Sequence, residues 1–122
     1  MPTRSFGQYV RRQRLALLQG DKNYSLRRVA LASRLEPSFL SKIERGLVPP
    51  PSEGKIRALA ETLREDPDVL LAMAGKVSTD VQDAIRRRPR LFTELIRRLK
   101  HAPDTHLDGM VREARAKYGQ SE

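Results

Sequence analysis

Between Pro37 and Arg45 the chain sets Pro37, Ser38, Ser41, Lys42 and Arg45 at spacings that share one side of a helix, with Leu40 and Ile43 on the other. The chemistry of that outer side is specific. Short hydroxyls let a backbone approach base edges, a lysine can reach guanine O6 and N7, and an arginine at the helix end can clamp a phosphate. A helix that only filled a core would have no use for such residues outside. The pattern predicts a helix that enters the major groove of a duplex.

Other chemistry is poorly served. His101 and His106 lie near Asp104 and Asp108, but a spacing of five puts the histidines on different helix faces and Pro103 interrupts them, so no metal site is expected. Gly54-Lys55 and Gly75-Lys76 look like the end of a phosphate loop, yet the glycine needed five positions earlier is Pro49 or Leu70. With no cysteine there is no disulfide, thiolate nucleophile or cysteine metal site. Neither catalysis nor a cofactor is predicted.

Charge agrees with the outward helix. The 122 residues carry a formal charge of +9 with a pI near 10.6, which calls for an anionic partner, nucleic acid first. Residues 1–52 hold ten basic residues against Asp21, Glu36 and Glu44, hence +7, while the rest carries only +2. The longest apolar run, around Val69 to Ala74, is too short for a membrane span, and "MPTRSFGQ" lacks a secretory core. A cytoplasmic location without a membrane partner is the expectation.

The elements that must hold the outer face are all helical, since apolar residues recur at helical spacing and alternation never lasts. Ser5 caps a first helix to about Gln19, with Phe6, Val10 and Leu17 near one face. "GDKNY" reads as a loop. Ser25 caps a second helix with Leu26, Val29 and Ala30 inward, and a bend at Ser33 to Glu36 leads to Pro37, which suits a first helical turn. Gly46 supplies a left-handed end. "LVPPP" is a stiff link, after which Ser52 opens a helix with Ile56, Leu59, Ala60 and Leu63 inward. Asp66 and Pro67 start a fifth, closed by Gly75.

Residues 76–122 form a separate block with three amphipathic segments. Val77, Val81 and Ile85 recur until Pro89, Phe92, Leu95, Ile96 and Leu99 form a stripe, and Leu107, Met110, Val111, Ala114 and Tyr118 form another. Two readings compete: the stripes extend the N-terminal core, or they bury against a second chain or a protein partner.

"SLRRVA", "EPSFLSKIERG" and "PSEGKIRALAETL" together resemble the Cro/repressor-type (Xre) helix-turn-helix family over roughly Phe6 to Ala74. The resemblance implies a five-helix, lambda-repressor-like domain at residues 1–75 that binds double-stranded DNA, usually as a homodimer on a palindromic operator. Pro37, Ser38, Ser41 and Lys42 fall where the family contacts bases and Arg45 where it contacts phosphate. Glu36 and Phe39 lie within the same reader segment. Leu26 departs from the family's phosphate-binding glutamine, so Ser25, Arg27 or Arg28 would substitute. Arg34 stands at the usual turn glycine, at a cost of about 1 kcal/mol if its φ is positive. The first loop is longer and the link to helix four carries an extra proline. The expected protein is an all-α transcriptional regulator, a dimeric repressor first, with dimerisation through Phe92, Leu95, Ile96, Leu99, Leu107, Met110 and Val111. The alternatives are an antitoxin that represses its own operon and a module that binds protein rather than DNA.

Overall fold

A computed structural model describes residues 2–119 of the chain, with side chains from Phe6 onward. The α-helices are α1 (Pro2–Leu18), α2 (Leu26–Ala32), α3 (Pro37–Glu44), α4 (Glu53–Thr62), α5 (Pro67–Met73), α6 (Thr79–Arg87), α7 (Pro89–Leu99) and α8 (Asp104–Tyr118). Among the described residues there is no strand, and no helix is long and apolar enough to cross a membrane. The chain divides into two compact units, Met1–Thr79 and Asp80–Glu122.

Helix starts in the first unit follow local chemistry, with one difference from expectation. α1 begins at Pro2, so Ser5 lies inside the helix rather than at its cap. The loop after α1 contains a 3-10 turn, Lys22–Tyr24, capped by Asp21 accepting from the Asn23 amide at 2.9 Å. Ser25 Oγ accepts from the Arg28 amide at the start of α2, and Asp66 accepts from the Asp68 amide at the start of α5.

Four helices end alike. The amides of Leu35, Leu47, Glu65 and Lys76 each reach back five residues, to the carbonyls of Ala30, Lys42, Ala60 and Leu71. Each end turns through one left-handed residue, and Gly46 (φ 73°) and Gly75 (φ 76°) fill that role after α3 and α5. After α2 and α4 it falls to Arg34 (φ 61°) and Arg64 (φ 60°), where a side chain opposes the same turn.

These ends let five short helices close on one core of Phe6, Val10, Val29, Ala30, Leu35, Leu40, Ile43, Ile56, Leu59, Ala60, Leu63, Leu70 and Leu71. α1 approaches α3 unusually closely. A Cβ added at Gly7 would lie 2.1 Å from the Ile43 carbonyl oxygen, so only glycine fits there. Seven residues on from Gly7, Arg14 is buried and meets the equally buried Glu44 at the end of α3. Arg14 Nε donates to Glu44 Oε2 at 2.7 Å, Nη2 to Oε1 at 2.9 Å, and Nη1 to the Tyr24 carbonyl at 3.3 Å. Tyr9 adds a tie from α1 to the end of α4, its hydroxyl donating to Glu65 Oε2. That bond, with burial and the carboxylate's charge, raises the phenol above its ordinary pKa, and Arg12 opposes the rise.

The second unit has no buried side chain in α6, α7 or α8 among the described residues. Its ion pairs run along single helices, such as Arg98 to Glu94 at 3.1 Å and Lys117 to Glu113 at 3.3 Å.

Two stability measurements test this account of the first unit. Gly7→Ala forces α1 away from α3 and should cost at least about 2 kcal/mol in urea unfolding; a neutral outcome would refute the close approach. Glu44→Ala strands a buried guanidinium and should cost about 3–5 kcal/mol, whereas Arg14→Met with Glu44→Leu should recover most of that loss. A double variant as unstable as the sum of Arg14→Met and Glu44→Leu made singly would show that the fork carries no coupling.

Candidate nucleic-acid interface

α2, the four-residue bend Ser33–Glu36 and α3 form two helices joined by a tight turn, and the turn is fastened from both sides. Ser33 is buried and its Oγ donates to Thr62 Oγ1 at 3.1 Å, while Leu35 is pinned in the core. α3 starts with Pro37 in its first turn, and its cap residue Glu36 makes no side-chain capping bond, leaving that carboxylate exposed. Leu40, Ile43 and Glu44 are all buried, so one full side of this eight-residue helix faces the core.

The opposite side is set by that anchoring. Ser38, Lys42 and Arg45 are exposed and fall at i, i+4 and i+7, one ridge along the helix. Arg45 Nε donates to the Ser41 carbonyl at 3.3 Å, which holds the guanidinium beside the last turn. Pro37 and Ser41 are half-buried on the flanks rather than on the ridge itself. Phe39 differs more from an outward reader: it is half-buried against the core, and the Lys55 ammonium sits 6.0 Å from its ring centroid. Lys55, in the first turn of α4, is thereby brought beside α3, a neighbour that the sequence reading missed because it lies sixteen residues away across a proline-rich link.

The positions on α2 are accessible as well. Arg27 and Arg28 are exposed, Ser25 is half-buried at the helix cap, and Arg28 Nη1 donates to Asn23 Oδ1 at 2.7 Å. Among the described residues of α2, the turn and α3, the charges outside any ion pair are the cations Lys42, Arg45, Arg27, Arg28 and Arg34 and the single anion Glu36. Glu44 does not count against them, because Arg14 neutralises it inside. Such a surface attracts phosphate, and its short hydroxyl and lysine can reach base edges.

The residues expected to dimerise lie elsewhere, on α7 and α8. Leu95, Ile96, Met110 and Val111 are exposed, and Phe92, Leu99 and Leu107 are half-buried.

No curated protein and no solved structure significantly matches the chain. The family model of the helix-turn-helix domain does match, over residues 5–73, which runs from within α1 to the end of α5 and covers more than half of the sequence. By that match the chain belongs to the helix-turn-helix domain family.

Proposed function

We propose that the protein is a sequence-specific regulator of the Cro/repressor type, which reads an operator through the exposed ridge of α3 and represses as a homodimer. The observation that carries this reading is the division of α3 into two sides. Leu40, Ile43 and Glu44 are committed to the core, and Ser38, Lys42 and Arg45 are left outward on a unit whose net charge is strongly positive. Lys42 reads a base, Arg45 clamps a phosphate, and Ser25, Arg27 and Arg28 contact the backbone at the start of α2. Ser41, Pro37 and Glu36 line the approach, and Phe39 acts from behind, packed against the core with Lys55 over its ring.

Dimerisation is assigned to the second unit. Among the described residues much of the apolar stripe of α7 and of that of α8 is exposed, and an isologous contact between two copies would bury both. Helix-turn-helix dimers set two reader helices about one DNA turn, 10–10.5 base pairs, apart, so an inverted repeat is the expected site.

DNA selection from random sequence followed by footprinting tests the whole reading. An inverted repeat with that spacing is expected, with log affinity falling by about 0.9 per phosphate contact as log salt rises; equal affinity for every duplex would sink it. Lys42→Ala should lose about 1–3 kcal/mol on the selected site and relax one base-pair position per half-site, while Arg45→Ala should weaken all duplexes alike. A chain ending at Thr79 keeps the entire core and should be a folded monomer that binds a half-site weakly, because the second reader is no longer tethered. If light scattering finds that shortened chain dimeric, the second unit is not the dimer contact.

A further inference from the structure

The second unit is uneven in charge. From Arg86 to Lys100 the chain carries seven arginines and lysines against Glu94 alone. α8 shows the balanced alternative: three acids face three bases, with Arg112–Asp108 and Lys117–Glu113 closed along the helix. In the earlier segment Glu94 is already taken by Arg98, and Arg86 is held by Asp83 at 3.3 Å. Among the described residues, Arg87, Arg88, Arg90, Arg97 and Lys100 have no carboxylate within ion-pair distance, and all five are exposed. Like charges packed this densely repel one another unless an anion joins them.

Their position on α7 narrows the choice of anion. Arg90 and Arg97 are seven residues apart and share a ridge with Thr93 and the Arg98-paired Glu94. Leu91, Leu95 and Leu99 lie on the other side of the helix. A lipid surface would take up both sides of such a helix at once, the apolar side buried and the cations at the headgroups. Here the apolar side is assigned to a second copy of the chain, which leaves the cations for an anion other than lipid. The polyanion that fits the rest of this chain is duplex DNA.

We propose that Arg87, Arg88, Arg90, Arg97 and Lys100 make a second, sequence-independent contact with DNA phosphates outside the site read by α3. This rests on the reading of α3 as a DNA reader. Because the second unit is tethered to the first, a contact too weak to act alone gains a high local phosphate concentration once α3 is bound. It adds affinity and salt sensitivity without adding base preference.

The test uses the full chain with all five residues changed to Gln, and separately with the four arginines changed to Lys. Each is titrated over a salt series against the best duplex selected from random sequence and against an unrelated duplex. The Gln variant should keep the wild-type helicity and mass while its salt slope falls by at least about 2, up to about 4.5 per chain at 0.9 per contact. Affinity should drop by the same factor on both duplexes, so selectivity holds, and the Lys variant should keep the wild-type slope. Should the Gln variant lose helicity, Arg97→Gln alone decides, with an expected fall of about 0.9. An unchanged slope in a chain that still selects its site overturns the proposal and leaves the α3 reading intact. So does a Lys variant as impaired as the Gln variant, or a Gln variant that loses only its binding to phosphatidylserine vesicles. A wild-type chain that binds no duplex overturns the α3 reading, and this inference with it.

Discussion

The fork between Arg14 and Glu44 is the constraint on which the first unit depends. Two ions removed from water are tolerated only when each satisfies the other, and here two parallel N–H···O bonds and a third to the Tyr24 carbonyl do so. The pair joins α1, the end of α3 and the loop that leads into α2. Apolar contacts would survive a small slide of one helix along another; this fork would not, because the slide would leave a bare charge in the core. It therefore selects one register for α3 among the several that Leu40 and Ile43 alone would allow.

That selection matters because α3 is only eight residues long. A helix of this length has almost no stability in water by itself. Everything that keeps it helical comes from its ends and its inner side: Pro37 in the first turn, Leu40 and Ile43 beneath, Glu44 in the fork, and Gly46 turning the chain away. The outer ridge contributes little to the fold and so is left to chemistry.

How much of this was legible follows from the kind of signal each feature leaves. Pro37 and Gly46 bracket α3 by backbone rules that hold regardless of context, and the spacing of Ile56, Leu59, Ala60 and Leu63 marks an inward face without any neighbour being known. Arg34, expected to be strained if its φ were positive, does sit at 61°. The buried fork was not anticipated, because arginine and glutamate are counted as surface residues by default. Yet its trace was present: Phe6, Val10 and Arg14 recur every four residues, as do Leu40 and Glu44, so opposite charges continue two inward stripes. Gly7 left no trace at all, since a helical glycine looks like a weak helix position until its partner backbone is known. The burial of Phe39 left no mark for a related reason; an aromatic on a polar segment is not placed until Lys55 and the core are known to claim it.

The close approach at Gly7 also sets how this fold can vary over time. Position 7 admits one residue type, because the space for a second carbon is occupied by the Ile43 carbonyl of α3. One helix thickness away, Ser38 and Lys42 face solvent, where substitutions usually change stability by within about 0.5 kcal/mol in either direction. Mutational tolerance thus changes from closed to open across the width of a single helix. A lineage bearing this domain can exchange those outward residues at little cost in stability while the backbone that presents them stays fixed.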